Sequence, residues 1–155
     1  MQSKIFHGFT LIELLIVIAI LGILSTMGVG NFTTSRIKAR DLARKSDLAT
    51  IAKSLEAYVN DHRGYPLSDT NGKIVCLADG TICNWGSPFV DDQGTIYVAK
   101  LPDTSNGNYS YKSDGKTYTL YARLDNVNDP AIQTITPAVS CGALSCNYKI
   151  SSTNQ

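Results

Sequence analysis

FTLIELLIVIAILGILSTMGV, the run from Phe9 to Val29, is almost wholly apolar. At about 1.5 Å per helical residue its 21 residues reach roughly 30 Å, the hydrocarbon thickness of a bilayer. The run therefore predicts a membrane-spanning helix. Ahead of it stands MQSKIFHG, residues 1–8, with one Lys and a Gly at its end. A cleaved secretory signal is the competing reading, and Ser25, Thr26 and Gly28 offer the small residues such a cut requires. Against it, the run is long, holds a carboxylate at Glu13, and continues as a helical pattern past the membrane.

Glu13 is the informative residue. An acidic side chain inside a span is costly and usually has a partner, yet no Lys or Arg lies within one turn of it. A cut after Gly8 would supply one. The new amine on Phe9 would sit four residues before Glu13, and the amine of a neighbouring copy would also come within reach. A carboxylate hydrated near the headgroups is the plainer alternative.

Gly8-Phe9-Thr10-Leu11-Ile12-Glu13-Leu14-Leu15 resembles the processing signature of type IV pilins and type II secretion pseudopilins. The resemblance implies that a prepilin peptidase cuts between Gly8 and Phe9 on the cytoplasmic face and methylates the amine of Phe9. It also implies that Glu13 guides assembly by pairing with a neighbour's amine. One departure stands out: many members of the family have Pro where this chain has Gly30, in a stretch that unwinds inside filaments. Here the stretch is Met27-Gly28-Val29-Gly30. Two glycines weaken a helix by about 1 kcal/mol each relative to Ala and permit the same unwinding without Pro.

From Arg36 to Arg63 the pattern turns amphipathic. Ile37, Leu48, Ile51, Leu55 and Val59 recur near helical spacing, with Ala43, Ala49 and Ala52 between them. Asp41, Arg44, Lys45, Asp47 and Lys53 fill the other faces, and Asp41 and Lys45 form an i,i+4 pair in the favourable order. Gly64 is expected to stop the helix, and Pro66 cannot continue it. A helix from about Phe9 to Arg63 would be roughly 80 Å long, which fits a span with a head packed on its far half. The stretch ARDLARKSDLATIAKSLEAYVNDHRGYP, residues 39–66, resembles most the major pseudopilin of type II secretion.

Net charge is +1, so no overall field draws nucleic acid. The basic run Arg36, Lys38, Arg40, Arg44 and Lys45 is interspersed with acids and reads as a solvated or intersubunit face rather than a DNA or headgroup site. A positive-inside count would put the head in the cytoplasm. The cysteines and the resemblance place it outside, and they prevail because the basic run lies on a helix with a structural use.

After Gly64 the composition shifts to Gly, Pro, Asn, Asp, Ser, Thr and Tyr. All four cysteines lie there: Cys76, Cys83, Cys141 and Cys146. An even number in a small head points to disulfides and an oxidising compartment. In KIVCLADGTICNW, residues 73–85, Asp79-Gly80 is a two-residue turn signal. That turn would oppose Cys76 to Cys83, within disulfide range, leaving Cys141 and Cys146 across CGALSC. Three pairings exist, and a crossed one tying the hairpin to the carboxyl-terminal loop is the runner-up. A zinc site would want closer-spaced ligand pairs. A second hairpin, YSYKSDGKTYTLYARL at 109–124, turns at Asp114-Gly115 with Tyr111 opposite Tyr118. Tyr118, Leu120, Ala122 and Leu124 would share the face that packs on Leu55 and Val59. The aromatics read as core and cross-strand pairs in preference to a base-stacking platform.

Asp125-Asn126-Val127-Asn128-Asp129-Pro130 gathers oxygen ligands of the kind calcium takes. The resembled major pseudopilin holds calcium in a loop after the matching strand, which makes Asp125, Asn128 and Asp129 the candidate ligands. A plain Asn- and Asp-rich turn is the preferred reading, and the calcium site the alternative to it. No catalytic constellation appears: His7 lies in the leader and His62 is alone at the helix end.

The expected architecture is α+β, a long amino-terminal helix packed on a small antiparallel β-sheet head. The expected organisation is a leader (1–8), a transmembrane or filament-core helix (9–30), an amphipathic helix (31–64) and a β-rich head (65–155). The resemblance implies a non-enzymatic filament subunit that requires no cofactor. It would wait in the inner membrane with its head outside and join a secretion pseudopilus or a pilus. Its implied partners are identical and related subunits, the prepilin peptidase, an inner-membrane assembly platform and membrane lipid. The alternative is an anchored extracytoplasmic binding domain that never polymerises.

Overall fold

A computed structural model describes residues 8–103 and 109–152, without the side chains of residues 26–31. The chain divides into two compact units, Met1–Arg36 and Ile37–Gln155. The α+β class expected from the sequence is the one observed. A helix, α1 (Leu11–His62), precedes short strands β1 (Ile74–Val75), β2 (Ile82–Cys83), β3 (Phe89–Val90), β4 (Ile96–Val98), β5 (Ser110–Ser113), β6 (Tyr118–Ala122), β7 (Ser140–Cys141), β8 (Leu144–Ser145) and β9 (Tyr148–Ser151). All pairings are antiparallel. The largest sheet has the order β5-β6-β9, and three two-stranded ribbons join β1 to β2, β3 to β4 and β7 to β8.

In the first unit, α1 runs through Gly28 and Gly30 without a break. Among the described residues no helix is long and apolar enough to cross a membrane. The span expected over Phe9 to Val29 runs into residues 26–31, whose side chains lie outside the described set. The leader residues Lys4 and His7 lie outside it too.

In the second unit, one stripe of α1 is buried. Asp41, Arg44, Leu48, Ile51, Ser54 and Leu55 recur three and four residues apart, so they share a face. Leu48, Ile51 and Leu55 pack with Tyr111, Tyr118, Leu120 and Ala122 of the main sheet and with Ile74, Phe89 and Leu101, while Val59 flanks them half-buried. Burial of alternate residues along β6 is the two-residue period of a strand with one face on a core. Tyr111 and Tyr118 are buried there, which removes them as an exposed stacking platform.

Three sequence expectations are corrected. Asp41 and Arg44 are buried, not solvated. Asp41 pairs with Arg44 at 2.9 Å while Lys45 pairs with Asp129 at 2.8 Å, so the expected Asp41–Lys45 pair does not form. The cause is the segment after β6, which crosses this part of the helix. The helix also ends at His62, before Gly64, and Arg63 takes the left-handed conformation at φ 59° that commonly closes helices. Gly64 is needed for a different reason: a Cβ there would stand 3.1 Å from the Gly115 carbonyl oxygen, which accepts the Tyr65 N–H at 2.9 Å.

Both expected hairpins form, but each register is displaced by two residues. Ile74 pairs with Cys83, so Cys76 meets Thr81. Ser113 pairs with Tyr118, so Tyr111 faces Leu120 instead of Tyr118. The loops hold four residues each, 77–80 and 114–117, not two. Aspartate side chains stabilise the wider loops. Asp79 Oδ1 accepts the Thr81 N–H at 2.8 Å, and Asp114 Oδ1 accepts the N–H groups of Lys116 and Thr117 at 2.9 and 2.8 Å.

Candidate functional site

A helix begins with unsatisfied N–H groups, and α1 meets that need with two of its own side chains. Thr10 Oγ1 accepts the Glu13 N–H at 3.4 Å, and Glu13 Oε2 accepts the Thr10 N–H at 2.9 Å and the Thr10 hydroxyl at 2.7 Å. The Thr10 carbonyl takes the Leu14 N–H at 3.3 Å. This is a reciprocal capping box, Thr-x-x-Glu, whose spacing is itself a sequence signal. Glu13 therefore has a partner within the single chain. Both bonds fall on Oε2, and Oε1 takes none among the described residues.

Gly8 and Phe9 lie just outside this cap, exposed and without regular structure. A Cβ on Gly8 would meet nothing within 4 Å, and Phe9 is 81% exposed. The bond between them is open to an approaching active site. From Phe9 to Leu24, 12 large apolar side chains are about half exposed or more. Covering them is worth on the order of 10–20 kcal/mol at the usual area coefficient. This end of the chain thus combines an accessible Gly–Phe bond, a capped carboxylate four residues on, and a helix surface that water does not favour.

In the second unit, the candidate calcium ligands are engaged by protein cations. Asp125 Oδ2 lies 2.9 Å from Arg44 Nη1 and 3.8 Å from Arg40 Nη2. Both Asp129 oxygens accept from Lys45 Nζ at 2.8 Å. The Lys45 bond, with a further one from the Ala131 N–H, holds the Asp129 carboxyl below its usual range. Asn128 is exposed, and its N–H reaches Asn126 Oδ1 at 3.4 Å. Among the described residues no three acidic, His or Cys side chains converge as a metal site. Calcium takes six to eight oxygens, and a loop whose carboxylates already hold guanidinium and ammonium groups does not fit it.

The cysteines form two disulfides, Cys76–Cys83 and Cys141–Cys146, with Cα separations of 5.7 and 5.0 Å. The crossed pairing is not made, and no described cysteine is free to ligate zinc. Cys76 joins the main core, whereas Cys141 and Cys146 form a small cluster with Val139, flanked by Tyr121 and Ile135.

His62, expected to stand alone, meets Asp91 at 3.0 Å. Tyr97 donates its hydroxyl to Asp61 at 2.8 Å and to Asp91 at 3.1 Å, and Tyr58 stacks on His62 with centroids 4.1 Å apart. Asp91 also accepts the N–H groups of Gln93 and Thr95. Burial pushes its carboxyl up, but the bonds from His62, Thr95, Tyr97 and Gln93 outweigh that and hold it far below the usual range. His62 Nε2, the Tyr97 hydroxyl and the Asp91 carboxylate are joined to one another, the signature of a structural clamp between the helix end and the β3–β4 hairpin.

Residues 4–29 match the family described as the prokaryotic N-terminal methylation motif. The chain is 36% identical over 117 residues to the type II secretion system core protein G of Aeromonas hydrophila, covering 75% of this chain and 79% of that one. It is 33% identical to the protein of the same name from Pseudomonas aeruginosa, covering 74% and 79%. The protein of that name from Vibrio cholerae is 30% identical, with 73% and 75% covered. No solved structure matches the chain.

Proposed function

The chain belongs to the type II secretion core protein G family, the major pseudopilins, and from that membership we propose how its parts serve a pseudopilus. It is a structural subunit of the filament, processed by prepilin peptidase. The peptidase removes Met1 to Gly8 and methylates the amine of Phe9. Before assembly the apolar segment lies in the inner membrane, with residues 37–155 on the periplasmic side. During assembly, on a platform in that membrane, the same surface passes from lipid to the helices of identical and related subunits.

The observation that carries this reading is the exposed apolar surface from Phe9 to Leu24 directly behind an accessible Gly8–Phe9 bond. Leaving lipid, the helices gain van der Waals packing against one another, and in the assembled filament their apolar surface stays out of water. Glu13 supplies register: its second oxygen, Oε1, accepts the methylated amine of a neighbour, adding an opposite charge to a carboxylate that the cap bonds but does not neutralise. The protein acts by polymerising, and no turnover is assigned to it. Calcium is not assigned to it either.

The test is intact mass and amino-terminal sequencing of the full chain expressed with a prepilin peptidase. A product beginning at Phe9 with one added methyl supports the reading, and filaments should then appear by electron microscopy. Retention of Met1, or a cut near Gly28, would leave an anchored or secreted domain and overturn it.

A further inference from the structure

Arg44 occupies a telling position. Its Nη1 stands 2.9 Å from Asp41 Oδ1 and 2.9 Å from Asp125 Oδ2, a point from which one positive centre bridges two carboxylates. Asp41 is 1% exposed and Arg44 7%. Asp41 also receives the backbone N–H groups of Asp125 at 2.9 Å and Asn126 at 2.7 Å. One turn along, Lys45 grips both oxygens of Asp129, and Arg40 lies 3.8 Å from Asp125. Among the described residues of this set three carboxylates face three cations, and their charges balance.

We infer that this ion lattice, Asp41–Arg44–Asp125 with Lys45–Asp129, holds the 125–130 segment to the helix without a metal ion, and that Arg44 stands where a divalent cation would otherwise bridge the carboxylates. The chemistry supports this in three ways. A buried carboxylate needs compensation, and Asp41 receives it from a guanidinium and two N–H groups. Charge-assisted bonds of this length are the strong kind. A divalent cation added to a neutral set would have to displace Arg44 or Lys45 from partners they already hold. This chain carries its positive charge on the helix itself, three and four residues after Asp41.

The experiment is thermal unfolding of the full chain in detergent, with excess calcium chloride and with excess chelator. The two melting temperatures should coincide, and a calcium-dependent rise of several degrees would overturn the inference. Arg44→Gln should lower the melting temperature by about 6 °C or more, because it leaves a buried carboxylate uncompensated; an unchanged value would also overturn it. Combining Arg44→Gln with Asp125→Asn provides a readout that simple packing would not move. Paired groups give a combined loss smaller than the sum of the single losses, whereas additive losses would show that the two do not act together. The processing test above is independent of all three outcomes.

Discussion

At the scale of single residues, Glu13 has two tasks that can be separated. In the lone chain it completes the Thr10–Glu13 cap, and in the filament it is proposed to meet a neighbour's amine. Thr10→Val removes the hydroxyl's two bonds in the cap and leaves the carboxylate, at about 1 kcal/mol of helix stability. Glu13→Ala removes the carboxylate and the two bonds it accepts, leaving the Thr10 hydroxyl to take the residue 13 N–H. Quantified by sheared-filament yield, Thr10→Val should assemble nearly normally and Glu13→Ala poorly. Equal yields from the two variants would reduce Glu13 to a cap. Gly72 offers a residue-level check on the head. It sits at φ +76°, and a Cβ there would collide with Ser110 Oγ. Gly72→Ala should therefore cost roughly 2 kcal/mol or more, through strain and overpacking, readable as a lower urea midpoint with an unchanged slope.

At the scale of elements, the sequence revealed where turns fall but not how wide they are. Asp-Gly occupies the last two places of the 77–80 loop and the first two of the 114–117 loop, and Gly80 and Gly115 both take positive φ. The dipeptide supplies a residue that tolerates left-handed backbone, yet where it sits within the loop depends on which N–H the aspartate caps. A longer signal was present. In Asp69-Thr70-Asn71-Gly72 and in Asp91-Asp92-Gln93-Gly94 the first Asp accepts from the residues two and four on, and its carbonyl accepts the glycine N–H. The unforeseen β3–β4 hairpin turns on the second of these. Buried Asp41 and Arg44 were illegible for another reason: the segment that covers them comes from more than 80 residues away. The His62–Asp91 contact is likewise long-range. It predicts a pH response whose sign follows from the depressed Asp91 carboxyl. A folded value below the unfolded one, near 3.9, stabilises the fold fully above that pH and loses the contribution as pH falls through the folded value. Asp91→Asn should be less stable at neutral pH and should lose less on acidification below about pH 4, measured by circular dichroism. A variant with the parent's full acid sensitivity would show that Asp91 is not the group responsible.

At the scale of the whole molecule, the chain divides at Arg36 and Ile37, inside one helix and well before the compositional boundary at Gly64. The division separates two kinds of surface. Ahead of it the described large apolar side chains are exposed; behind it Leu48, Ile51 and Leu55 are fully buried in a core that also holds a disulfide cysteine, Cys76. Folding energy and assembly energy therefore reside in different stretches of α1. A chain beginning at Ile37 keeps every member of that core, both disulfides and the ion lattice around Arg44. It should be monodisperse without detergent, melt at the temperature of the full chain in detergent, and form no filaments. Each short disulfide loop should add about 2 kcal/mol by restricting the unfolded chain, so reduction should lower that melting temperature equally in the two forms. A large drop on removing residues 1–36 under oxidising conditions would show that the amino-terminal stretch also holds the head together, and the separation of the two energies would fail.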